Sequence, residues 1–169
     1  MNNKGFTLIE ISVVVLLIGI TLFVAGPTLR STLLNNPLDD AGKLIISAVR
    51  ELRNDSVRDQ LDYVLHLDLV KNVFWITTAD MTSEKKAEKK SKPHILPVEV
   101  VFADVTLPDG SKYTDGEVSV AFYKKGHATP AVIHLKKGDA RKTIVIEPFL
   151  NQTGIYDKYT DFHGNEITG

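Results

Sequence analysis

Between Phe6 and Gly26 the chain carries one ionisable residue, Glu10, and almost every other position is Ile, Leu, Val, Phe, Ala or Gly. Wound as a helix at ~1.5 Å per residue, this stretch reaches ~32 Å, about one bilayer core. Pro27 follows Gly26, a pair expected to end, kink or loosen the helix. Lys4 precedes the span, and the positive-inside tendency then keeps the amino terminus in the cytoplasm and exports the chain from Arg30 onward.

Three kinds of segment match that description. A secretory signal peptide needs a basic start, a short apolar core and a small-x-small cleavage site. Val24-Ala25-Gly26 offers the last of these, but Glu10 inside the apolar run fits poorly. A plain membrane anchor has no use for a carboxylate at depth, which costs on the order of 2–3 kcal/mol. The third kind gives Glu10 a purpose. The run Gly5-Phe6-Thr7-Leu8-Ile9-Glu10, after the short polar leader Met1 to Lys4, resembles the prepilin peptidase motif of type IV pilins and type II secretion pseudopilins.

The resemblance implies that residues 1–5 are a leader removed by the prepilin peptidase after Gly5. Phe6 would become the N-methylated first residue, and Glu10 would be kept for assembly. Residues 6–27 would form the transmembrane and assembly helix, and 28–169 a periplasmic domain. Gly5 presents backbone with no side chain to obstruct a peptidase. Cleavage leaves an α-amino cation at Phe6 in or near lipid, and Glu10 is the obvious counter-charge, since opposite charges attract far more strongly in a low dielectric than in water. Glu10 can meet that cation within one helix or on a neighbouring subunit, and the sequence leaves both pairings open.

The exported part predicts an α+β fold. Leu38, Ala41, Ile45, Ala48, Val49 and Leu52 recur at three- and four-residue spacing, the mark of an amphipathic helix from about Pro37 to Gln60. Lys43, Arg50, Glu51, Arg53 and Asp55 fall mostly on other faces, which reads as a solvated, salt-bridged surface. Strand signals follow, with period two at Tyr63–Leu69 and further strands at Val73–Ile76, Val98–Phe102, Val118–Tyr123, Ala131–Leu135 and Thr143–Ile146. Turns are expected at Lys71-Asn72, Pro108-Asp109-Gly110, Lys125-Gly126 and Lys137-Gly138-Asp139. The plan is a long N-terminal helix, membrane half plus amphipathic periplasmic half, packed on antiparallel sheet of about six strands. Between Thr82 and Lys92 no apolar residue exceeds alanine, so residues 82–92 are expected as a flexible exposed loop.

Little points to catalysis or cofactors. The chain has no cysteine, and HExxH, P-loop, GxSxG and GxGxxG patterns are missing. His66, His94, His127, His134 and His163 show no metal-ligand spacing, and His66 and His134 sit in strand patterns that place them on a sheet surface. Asp157, Asp161, Asn165 and Glu166 could offer oxygen ligands to calcium, but a solvated terminus is the simpler expectation. A net charge of −1 creates no field for nucleic acid, and the acidic tail disfavours it further.

The pattern Arg50 to Arg58, Tyr63-Val64-Leu65 and Phe74-Trp75, with the stretch Phe122 to Glu147, looks like the H-type minor pseudopilins of type II secretion. That resemblance implies a non-enzymatic, cofactor-free subunit in the bacterial inner membrane. Its partners would be other pseudopilin subunits, the prepilin peptidase and the inner-membrane assembly platform. A minor pilin of a type IV pilus, priming assembly or aiding DNA uptake, is the alternative.

Overall fold

A computed structural model describes the backbone of residues 8–34, 36–149 and 154–161, and side chains over the same ranges except 22–34. The chain divides into two compact units, 1–36 and 37–169. The first contains helix α1, Leu8–Leu34. α1 runs straight through Gly26 and Pro27, where a break was expected, and the interruption falls instead before Pro37. The residue ahead of a proline is driven from helical geometry by a clash that involves its own Cβ. Gly26 has no Cβ, whereas Asn36 has one, so only the second Pro enforces a stop.

The second unit, the head, opens with helix α2, Pro37–Asp59. Pro37 suits the first helical position, where its missing N–H has no partner to lose. The helix closes at Gln60, which takes a left-handed φ of 54° and donates from its side-chain amide to the Val57 carbonyl at 2.8 Å. All six residues of the expected apolar stripe are buried. Arg53 is a correction: it is 8% exposed and lies in the buried face, not on the solvated one. Its guanidinium donates to the Glu147 carbonyl and stands 5.9 Å from the Phe122 ring. Burial pulls its pKa down, against the opposing charge of Glu147.

Two antiparallel sheets pack on α2, with nine strands among the described residues in place of about six. Sheet A runs β3 (His94–Ile95), β2 (Val73–Thr78), β1 (Tyr63–Asp68), β6 (Glu117–Phe122). Sheet B runs β5 (Lys112–Tyr113), β4 (Val101–Thr106), β7 (Ala131–Lys137), β8 (Ala140–Ile146), β9 (Gly154–Tyr156). The core joins Ile45, Val49 and Leu52 of α2 to Leu65, Leu67, Phe74 and Phe122 from sheet A. Ile133, Leu135, Ile144 and Ile146 close it from sheet B. Each such side chain contributes roughly 1.5–3 kcal/mol when fully buried.

The lysine-rich stretch expected as a loop is helical: α3 spans Ser83–Ser91. Thr82 caps it, its hydroxyl accepting from Lys85 N–H at 3.4 Å. None of its residues is buried, which is why the apolar pattern did not reveal it. α3 covers the outer face of sheet A. There Trp75 and Ser119 flank His66 in register, and the His66 ring stacks on Trp75 at 5.2 Å. Lys90 of α3 bonds Glu117 at 2.8 Å and sits 5.0 Å over the Trp75 ring.

The outer face of sheet B is covered by the segment around residues 157–160. A β-bulge between Phe102 and Asp104 puts Phe102 inward and Asp104 outward, although strict alternation would give both one face. Asp104, His134 and Thr143 then line up across β4, β7 and β8. His134 is a second correction, for it is 1% exposed rather than at the surface. Its Nδ1 lies 2.7 Å from Asp104 and its Nε2 2.9 Å from the Thr160 carbonyl. Tyr159 stacks on the imidazole at 3.7 Å and donates to Asp104 at 2.7 Å. On the opposite, inward face of β8 the buried Lys142 bonds Asp39 of α2 at 2.8 Å and also Asp157. Gly42 makes room for it, since a Cβ there would sit 2.8 Å from Lys142 Cδ.

Burial alone pushes the Asp104 carboxyl up, but hydrogen bonds from His134 and Tyr159, aided by the charges of His134 and Lys112, hold it below its ordinary value. A folded pKa below the unfolded one gives stability that is complete above about 3.9 and is lost as pH falls through the folded value. The head should therefore lose melting temperature below about pH 4. Asp104→Asn should cost roughly 1.5–3 kcal/mol at neutral pH, because an amide oxygen accepts the His134 and Tyr159 bonds more weakly than a carboxylate does. It should also flatten the acid limb, and an unchanged acid limb in that variant would show the carboxylate to be a bystander.

Candidate assembly site on the amino-terminal helix

Gly5 and Phe6 lie outside the described residues. Glu10 is described, in the first turn of α1, where negative charge is favoured by the helix dipole. Around it the large apolar side chains from Leu8 to Ile20 are 47–88% exposed. The two hydroxyls nearby turn inward, Ser12 donating to the Leu8 carbonyl at 2.9 Å and Thr21 to the Leu17 carbonyl at 2.7 Å. Those bonds satisfy the hydroxyls within the helix and leave its described surface apolar on every side, with Glu10 as the ionisable exception. A helix that is apolar all round needs a cover of other helices or lipid. Among the described residues no helix is long and apolar enough to cross a membrane. The described side chains of α1 stop at Thr21, roughly four turns.

Among the described residues of the head, no three His, Asp or Glu side chains are grouped to hold a metal ion. Asp157, a calcium candidate by sequence, is engaged by Lys142, and Asn165 and Glu166 lie outside the described residues. His94 stacks on Phe74 at 4.9 Å and His127 on Tyr123 at 4.4 Å. The residues that sequence reasoning missed are buried polar groups with structural partners, Arg53, Asp104, His134 and Lys142. For Arg53 a signal existed, because it stands four residues after Val49 on the same stripe.

Comparison with known proteins agrees with both units. Residues 1–26 match the family described as the prokaryotic N-terminal methylation motif. The fold resembles two solved structures of the minor pseudopilin EpsH from the type 2 secretion system of Vibrio cholerae. One is 10% identical with a TM-score of 0.55, covering 75% of this chain and 100% of that one. The other is 9% identical with a TM-score of 0.52, covering 71% and 95%. No curated protein matches the sequence. The amino-terminal motif and the fold of the head are thus each similar to parts found in type IV pilin-like proteins. The α+β architecture of the head resembles that of a minor pseudopilin.

The exposed surface of α1 and the closed core of the head should separate cleanly. A chain trimmed to begin at Asn36 should be soluble and monomeric with a mixed α/β circular dichroism spectrum, while the full chain should need detergent. Aggregation of the trimmed chain in sedimentation velocity would show that the head depends on α1.

Proposed function

We propose that this chain is a non-enzymatic minor pseudopilin subunit of a type II secretion pseudopilus, supporting export of folded proteins across the outer membrane. It would enter the inner membrane through α1, with its amino terminus cytoplasmic and its head periplasmic. The prepilin peptidase would cut between Gly5 and Phe6, and Phe6 would be N-methylated. The assembly platform would then draw the subunit into a filament with other pseudopilins. The observation that carries this reading is the methylation motif running directly into a helix whose described surface is apolar except at Glu10. Structural subunits are what the fold resembles, which supports a role without catalysis.

Glu10 is the charge that a lipid or helical surrounding tolerates least without a partner, and the Phe6 ammonium of an adjacent subunit would supply one. Losing one member of a buried ion pair strands the other at a cost of ~3–5 kcal/mol. Glu10→Leu should therefore leave processing and membrane level intact while cross-links between subunits fall at least tenfold. Undiminished cross-links with full secretion would sink the pairing. Gly5→Val should leave a longer, uncut chain in the membrane, and an intact Phe6 amino terminus in that variant, read by mass spectrometry, would refute the cleavage site.

A further inference from the structure

We propose that a cleft beside the free edge of β2 receives an extended acidic–apolar–acidic segment of a neighbouring filament subunit as an added strand. The filament origin of that segment rests on the function proposed above. The cleft itself rests on the backbone.

β2 has six residues but β3 has two, so sheet A stops being paired on that side after Phe74 and His94. Ala79 donates to the Asp62 carbonyl at 2.9 Å, which fixes the hydrogen-bond phase of the β1–β2 ladder. Pairs alternate along an antiparallel ladder, so Val73, Trp75 and Thr77 bond toward β1 while Phe74 and Ile76 turn their N–H and C=O outward. Asn72, one pair further along, obeys the same phase by accepting from Leu96 at 3.2 Å. The residue that would face Ile76 is Lys92, but its N–H is committed to the Lys89 carbonyl at 3.2 Å as the cap of α3. Ile76 is left with an outward donor and acceptor that no backbone group among the described residues takes.

A cavity of about 330 Å³ lies at this point. Leu52, Tyr63 and Ile76 give it an apolar floor, Glu51 and Asp55 form a wall on α2, and Lys89 of α3 with its capping residue Lys92 forms the opposite wall. Two of these charges are already used, Asp55 by Arg58 at 2.8 Å and Lys92 by Glu88 at 3.0 Å. Lys89 on the α3 wall and Glu51 on the α2 wall have no ion-pair partner among the described residues, so the free positive charge lies on the α3 side, which the outward-face residues of an added strand would meet. Edge strands are normally blocked by Pro, bulges or inward charge; this one is instead flanked by two helices that leave a slot. Strand addition supplies main-chain bonds for affinity and alternate side chains for choice. In a strand added to β2, the residue opposite Ile76 points to the apolar floor. Its two neighbours share the face of Trp75 and Thr77, toward Lys89. That alternation selects an apolar residue between two acidic ones.

Trp75 lines the cleft and is the one tryptophan of the chain, so its fluorescence reports occupancy. The full chain in detergent micelles should show a saturable change with the end-blocked peptide Thr-Glu-Val-Glu-Thr. Binding should be at least tenfold weaker for Thr-Lys-Val-Lys-Thr and for the Lys89→Glu variant. Ile76→Pro removes the outward N–H at an edge position where proline is tolerated, and should weaken binding at least tenfold with an unchanged circular dichroism spectrum. Should that variant unfold, a peptide methylated on its valine nitrogen makes the same test from the other side. No saturation up to millimolar peptide, equal binding of the lysine peptide, or full binding to Lys89→Glu would overturn the proposal. Peptide binding needs no filament. Its failure in a chain that still assembles therefore counts against the cleft alone, while loss of assembly evidence leaves the peptide preference standing.

Discussion

The apolar stripe of α2 has to be covered, and neither sheet covers it alone. The buried face of α2, with Ile45, Val49 and Leu52, packs on β1 and β6 on one side and on β7 and β8 on the other. One helix therefore sets the position of two sheets that have separate hydrogen-bond ladders. Hydrophobic burial is non-directional, so it could bring the three parts together in several ways. The buried charges narrow the choice. Arg53 reaches the Glu147 carbonyl beyond the end of β8, and Lys142 of β8 reaches Asp39 in the first turn of α2. Both ends of the helix are thus tied to sheet B by groups that would be costly to bury unpaired.

Each sheet also has an outer face, and the chain hides both by similar means. A row of polar and aromatic residues lies across each sheet, and a short segment is laid over it. Sheet A places His66 between Trp75 and Ser119 under α3, held by Lys90. Sheet B places His134 between Asp104 and Thr143 under Tyr159 and Thr160. The two covers differ in strength. α3 buries no residue of its own and is held by exposed charge, whereas the carboxy-terminal cover is bonded to groups 0–6% exposed.

The elements with strong periodicity were legible in the sequence. The α2 stripe and five of the six expected strands are present, because amphipathic spacing reports which face is buried; the sixth, expected at Val98–Phe102, opens as a turn with Glu99 at φ 70° and becomes strand only over Val101–Thr106. β3, β5 and β9 escaped notice because two or three residues cannot establish a period. α3 was missed because its hold comes from a cap, lysine stems and one ion pair, none of which leaves an apolar pattern. His134 was placed at the surface because alternation tells inward from outward but not whether a later segment returns to cover the outward side. The bulge that turns Asp104 toward His134 adds a residue to one strand, which no count along that strand alone can show. At the site itself Glu10 was plain from the sequence, being the lone charge in an apolar run.

The contact at Lys142 also bears on load. Tension reaching the head at Pro37 would first strain the opening turn of α2. That turn is fastened through Asp39 to a side chain in β8, an inner strand paired on both sides by β7 and β9. The same ammonium holds Asp157 in the carboxy-terminal segment, so start and finish of the head share one rivet. A pull along α2 would be passed to β8 and resisted by many ladder bonds, instead of peeling the helix away turn by turn.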